Sequence, residues 1–162
     1  MNKIKVSIIS APRVVMQACI DLIEAIPEFC VEAIPAGLSG QATWLAWAHA
    51  DVVIIDESVI EQEGFAALQL LLESYPRTKC LVVMNNYNQN KMIWTMLRGV
   101  RGVMCADEAF RLLPKAIRHL QAGEIWMARD LLRPLRQALQ SRRDWPHPRA
   151  DQAEPGNWMK LH

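Results

Sequence analysis

The chain has 162 residues, 51% of them hydrophobic, and a formal charge of +1. That is enough for one domain of ordinary size with a real core plus a short appendage, and the composition excludes a wholly disordered chain. The near-neutral balance gives no electrostatic argument for nucleic acid, and no stretch reaches the roughly 20 apolar residues that a membrane-spanning helix needs.

Strand-like and helix-like segments alternate from the start. Residues 5–9 form a β-rich run, with Lys3 and Lys5 beside it in place of a signal-peptide core. Residues 14–26 have helical spacing of apolar positions and stop before Pro27; residues 29–34 read as a second strand. Residues 41–49 predict a short helix carrying Trp44 and Trp47, and residues 52–55 a third strand. A helix over 65–75 ends at Pro76, residues 80–84 form a fourth strand, and a helix over 89–98 is closed by Gly99. Residues 102–105 give a brief fifth strand, and Asp107 is the expected N-cap of a helix running to Gln121. Five βα units in a row predict a parallel sheet wrapped by helices on both faces.

After Gly123 the pattern changes. Residues 130–140 can form one more amphipathic helix with Asp130 as N-cap, which places Pro134 near the first turn. From Asp144 onward Pro, charged and small residues dominate, as expected of a flexible tail. The expected division is a domain over 1–123, a linker helix over 124–143 and a tail over 144–162. Charge is uneven: residues 1–106 carry eight Lys/Arg against ten Asp/Glu, and residues 107–162 ten against seven. The helix over 111–121 can present Arg111, Lys115 and Arg118 on one exposed face.

Among the candidate sites, the most informative segment is Asp51-Val-Val-Ile-Ile-Asp56. Four β-branched aliphatics between acids read as a fully buried parallel strand. Asp56 then lies at the carboxyl end of the sheet, where open α/β folds place their sites. The four cysteines, Cys19, Cys30, Cys80 and Cys105, form no CxxC pair and fall in apolar segments, so buried free thiols in a reducing compartment are expected. Gly37-Leu-Ser-Gly40 lacks the lysine and spacing of a phosphate loop. His49 and His119 have no partner at ligand spacing, so no metal is expected at either. Trp44, Trp47 and Trp94 sit at helical positions suited to packing or a dimer surface.

Taken with Gly64 eight residues beyond Asp56, then Gly99-Val-Arg-Gly102 and Ala122-Gly-Glu-Ile-Trp126, this order of elements resembles the receiver domain of bacterial response regulators, in particular the NarL/FixJ (LuxR-type) group. The resemblance covers residues 3–141. It implies a flavodoxin-like (βα)5 fold of sheet order 2-1-3-4-5 with an extra C-terminal helix, a cytoplasmic signalling protein rather than an enzyme, and Asp56 as the phosphoacceptor position. In family members two acids after the first strand hold Mg²⁺, while a hydroxyl and a lysine contact the phosphoryl group. Here the acidic pair falls on Ser10 and Ala11, the hydroxyl on Met84 (followed by Asn85 and Asn86) and the lysine on Ala106. Glu57 is adjacent, but neighbouring side chains diverge at a strand end, so it is a poor substitute ligand. Phosphorylation by the metal-dependent route is therefore not expected, and no cofactor is implied unless Asp56 is phosphorylated, which would require Mg²⁺.

The resemblance implies a second location. A subgroup with degenerate receivers binds cyclic di-GMP through a Trp-[Phe/Leu/Met]-[Ser/Thr]-Arg motif here. The chain matches at Trp126, Met127 and Arg129 and departs at Ala128, where a hydroxyl would contact phosphate. LuxR-type regulators usually continue into a helix-turn-helix domain, for which residues 144–162 are too short and too Pro-rich, so direct sequence-specific DNA binding is not expected. The reading is an atypical receiver that works through protein–protein contacts or as a homodimer. Three alternatives stand beside it: a cyclic di-GMP sensor using Trp126 and Arg129, a conventional receiver phosphorylated at Asp56, and a small flavodoxin-like enzyme using Asp56. The last lacks a nearby His, Cys, Lys or metal-ligand cluster in the sequence.

Overall fold

A computed structural model describes residues 2–35 and 37–141. Its five strands are β1 (Ile4–Ser10), β2 (Phe29–Pro35), β3 (Val52–Asp56), β4 (Lys79–Met84) and β5 (Gly102–Cys105). They pair in parallel in the order β2-β1-β3-β4-β5. This is the sheet the resemblance implies. The chain moves outward from β1 to β2, then returns to β3 and continues the other way, so the order reverses between β1 and β3. That point, at the carboxyl ends of the strands, is where ligands of open α/β sheets sit.

Helices cover both faces because the buried strands are apolar on both. Val52 and Ile54 of β3 face a core built with α1 (Val14–Glu24) and α6 (Ala106–Gln121). Val53 and Ile55 face the opposite core, shared with α2 (Gln41–His49), α3 (Glu57–Glu63), α4 (Phe65–Ser74), α5 (Gln89–Leu97) and α7 (Leu132–Gln140). Every residue of β3 is buried, as the run of β-branched aliphatics predicts for a central strand. Trp47 and Trp94 are core residues, while Trp44 is half-buried and packs edge-on against Tyr75 at 5.7 Å. Leu131 and Ala138 belong to the α2–α5 core, so α7 packs on the domain.

Several expectations need correction. The helix α3 follows β3 with no loop and was not visible as a separate element, because its seven residues are too few for a helical period to stand out. It is separated from α4 by Gly64, whose φ of 84° is costly for any residue with a side chain. α6 likewise starts directly from β5, so the cap position falls on Cys105 and not on Asp107. Asp107 and Glu108 lie instead in its first turn, where their charge favours the helix dipole. Asp130 does not cap α7; it sits in a 3-10 turn (Arg129–Leu131) and Leu131 takes the cap position. Pro134 is then the third residue of α7, where a missing N–H costs no helical bond. Cys30 is exposed, whereas Cys19, Cys80 and Cys105 are buried. Cys30 belongs to an edge strand, which covers its residues on one side only.

Candidate functional site

Asp56, which the resemblance makes the acceptor position, lies at the strand end where the sheet order reverses. Asp56 ends β3 with no solvent exposure. Its carboxylate is fully engaged by neighbours from two elements. Arg13, in the loop after β1, donates from Nη1 to Asp56 Oδ1 at 2.8 Å. Ser58, in the first turn of α3, donates its hydroxyl to Oδ2 at 2.8 Å, and its backbone N–H reaches Oδ1 at 3.3 Å. Asp56 is therefore the N-cap of α3 as well as half of an ion pair. The same Arg13 nitrogen also donates to Asn85 Oδ1 at 2.6 Å, tying the loop after β4 to the cluster.

Glu57 diverges from Asp56, as the strand-end geometry requires, and has its own cation. Lys91, in the first turn of α5, places Nζ 3.2 Å from Glu57 Oε1, and both side chains are nearly buried. The other oxygen, Oε2, is buried with no hydrogen-bond partner among the described residues. Burial raises the Glu57 pKa above the usual carboxylate range, against the opposing pull of Lys91.

The carboxyl ends of the strands do bring Ser10, Asp56 and Met84 to one end of the sheet, with Ala106 beginning the helix after β5. Met84 is wholly buried in the core and offers no polar atom. Sequence reasoning missed Arg13, Ser58 and Lys91. Arg13 carried a readable signal, a cation two residues past the position where the family's acids stand. Lys91 gave none, because its approach to Glu57 depends on how α5 packs.

These residues do not fit the Mg²⁺ that the resemblance would require. The metal takes an octahedron of oxygens. Ser10 and Ala11 supply no carboxylate, and the Asp56 oxygens already accept from a guanidinium and a hydroxyl. Among the described residues no group of three or more His, Cys, Asp or Glu side chains is placed to hold a metal.

The Trp126–Arg129 segment has a different environment. Trp126 forms a backbone bridge to the edge of β5, with its N–H donating to the Arg101 carbonyl and its own carbonyl accepting from Val103, both at 3.0 Å. Its Cβ lies 3.3 Å from where a side chain at Gly102 would begin, so this close approach depends on the glycine. Its ring packs at a tilt on His119, 5.3 Å between centroids, and His119 in turn contacts Glu124. Trp126 also lines a cavity of about 430 Å³ whose lining includes Asp107, Glu108 and Asp130 and to which no Lys or Arg among the described residues contributes. Arg129 is exposed and is not among the residues lining that cavity.

Comparison with known proteins supports the same fold. No family model matches the chain. It is 24% identical over 120 residues to the DNA-binding transcriptional activator DevR/DosR of Mycobacterium tuberculosis, a match covering 74% of this chain and 55% of that protein. The chain thus spans little more than half the length of the curated relative it matches. The non-phosphorylated receiver domain of the stress response regulator RcsB from Escherichia coli superposes with a TM-score of 0.68 at 21% identity, over 78% of this chain and 99% of that one. A LuxR-family two-component response regulator from Aurantimonas superposes with a TM-score of 0.70 at 16% identity, over 86% of this chain and all of that one. The RcsB response regulator of Salmonella typhimurium gives 0.70 at 22% identity, over 84% and 68%. The fold is that of the receiver domains of LuxR-type response regulators.

Proposed function

We propose that this chain is a receiver domain of a LuxR-type response regulator that works without phosphorylation, by contact with a protein partner or a second copy of itself. The observation that carries this reading is the Arg13–Asp56 ion pair, with the acceptor carboxylate wholly buried beneath it. A carboxylate nucleophile needs an open approach and a cation that bridges it to the incoming phosphoryl group. Here the cation is part of the chain, bonded to Asp56 Oδ1, and Ser58 holds the other oxygen. Asp56 has a structural use in this arrangement, capping α3 and pinning the loops after β1 and β4 through Arg13 and Asn85. A nucleophile already committed to those bonds would break them to react.

The acidic lining of the cavity beside Trp126 disfavours a cyclic dinucleotide there, since its phosphates would share that space with Asp107, Glu108 and Asp130 and with no cation of the described lining. The test of the main reading is direct. Incubation with acetyl phosphate and Mg²⁺ is expected to add no phosphoryl mass to the intact protein, and beryllofluoride with Mg²⁺ to leave its amide NMR spectrum unchanged. Stoichiometric labelling mapped to Asp56 would overturn the proposal.

A further inference from the structure

We infer that the groove between α7 and the edge of the domain is a docking site for an acidic amphipathic helix of a partner protein. The inference deepens the reading above, on which it rests, by naming the chemistry of the partner. Leu132, Leu135 and Leu139 follow one another along α7 at helical spacing, and Leu132 and Leu139 stay 52% and 54% exposed. Ile125, 45% exposed, lies beside them. Two concavities, of about 630 and 530 Å³, share Ile125, Leu135 and Leu139, so the apolar surface is one continuous trough rather than scattered side chains. An apolar stripe at i, i+3 and i+7 is the seam against which a second helix packs its own stripe.

Charge selects the occupant. Arg133 and Arg136 line the first concavity, Arg98 and Arg101 the second, and Glu73 is the one acid among the described residues of either lining. Arg101, Arg133 and Arg136 form no ion pair among the described residues, so their charge faces outward unneutralised. A symmetric pairing of two copies through this face would bring the arginines of one rim against those of the other, which is repulsive. The remaining segment of the chain, residues 142–162, carries four Lys/Arg against three Asp/Glu and so offers no complementary charge. A helix with leucines on one face and glutamates beside them satisfies both features.

The test uses the full chain and a fluorescein-labelled helical peptide with Leu at i, i+3 and i+7 positions and Glu on its flanks. Fluorescence anisotropy is expected to show saturable binding, at least about tenfold tighter than for a scrambled peptide of equal charge or for a version with Lys in place of Glu. The surface variants Arg133→Glu/Arg136→Glu and Leu139→Ala, whose fold is checked by circular dichroism, are each expected to weaken binding, the charge reversal by roughly tenfold or more. Equal binding of the control peptides, or of the charge-reversed protein, overturns the inference. So does an absence of binding by the full chain, whether another segment fills the trough or nothing does. Sedimentation with phosphatidylserine vesicles, lost in the same variants while the peptide fails to bind, would assign the face to membrane and likewise overturn it. A concentration-dependent dimer abolished by Leu139→Ala, with no peptide binding, would assign the face to a second copy and overturn the inference as well. Repeating the titration with beryllofluoride and Mg²⁺ separates the two proposals. Tighter peptide binding in its presence would overturn phosphorylation independence and leave the groove standing. No binding in either condition, with Asp56 unlabelled, removes the groove alone.

Discussion

The polar cluster at Asp56 and the trough along α7 are opposites in how they treat their polar and apolar atoms. At Asp56 a buried carboxylate has a partner for each oxygen, and the nearest aliphatic residues are packed in the core. Along α7 leucines remain in water beside arginines that form no ion pair among the described residues. A site that does chemistry keeps a reactive group under-satisfied until substrate arrives, whereas a site that binds a partner keeps apolar area uncovered. By that standard the cluster at Asp56 is built as structure, and the free surface lies at the other end of the chain. The contrast can be broken at the ion pair itself. Arg13→Ala strands a wholly buried carboxylate, and breaking such a pair costs about 3 kcal/mol or more. The low end applies because Arg13 is 32% exposed, so water can enter the vacated space. Urea denaturation would measure the loss, and Arg13→Ala/Asp56→Ala should recover only the part due to the stranded charge, since the α3 cap and the bonds from Ser58 go with Asp56. A single-variant cost near zero would mean that Asp56 is not held as described.

The neighbouring pair sharpens the point, because Glu57 is the less satisfied of the two carboxylates. Lys91→Met removes its cation and is expected to cost about 2 kcal/mol at neutral pH, less than the Arg13 variant because Glu57 can escape by taking up a proton. Burial already holds the Glu57 pKa above its unfolded value, and losing Lys91 moves it further the same way. A carboxylate with a raised folded-state pKa contributes stability below its unfolded pKa, and that contribution is lost as pH rises through the folded value. The Lys91→Met deficit should therefore shrink as pH falls from neutrality toward the ordinary glutamate pKa of about 4.3. A deficit that stays constant across that window would show that Glu57 is not the group left stranded.

Much of the fold was legible because buried parallel strands and their covering helices follow simple periods. β3 is readable from four aliphatics between two acids, and α1 from its apolar spacing. The element that was missed, α3, is a seven-residue helix pressed between a strand and Gly64, too short to show a period. That Ser10, Ala11, Met84 and Ala106 stand where the resemblance places acids, a hydroxyl and a lysine was visible in the sequence, since it concerns residue types at given positions. The contacts of the two carboxylates were less so. Arg13 meets Asp56 across 43 positions of sequence and Lys91 meets Glu57 across 34; only the place of Arg13, just past the end of β1, hinted at its contact, and nothing local announced that of Lys91. The α7 trough was half legible: the amphipathic helix was expected, but its apolar side turns out to be only partly covered by the domain, with Leu131 and Ala138 inward and Leu132 and Leu139 outward.

The smallest expected effect concerns a polar contact that joins the two regions. Tyr87, in the loop after β4 that also carries Asn85, donates its hydroxyl to Asp130 Oδ2 at 2.8 Å, and Asp130 sits in the turn that leads into α7. Partial desolvation of the half-exposed ring, the hydrogen bond to Asp130 and that residue's negative charge push the Tyr87 pKa up to about 12. For an acid held neutral in the folded state, the linked stability is present below the unfolded pKa of about 10 and is lost as pH rises through the folded value. Asp130→Asn keeps the shape but removes the charge, so the Tyr87 phenolate should appear at lower pH, moving back toward about 10 in an ultraviolet absorbance titration. Because the contact is exposed, the same variant should leave the urea midpoint near neutral pH almost unchanged. A shift of the midpoint as large as that from Arg13→Ala would show that the Asp56 cluster and the base of α7 hold each other in place, and the contrast between a sealed site and an independent docking face would then give way to a single coupled unit.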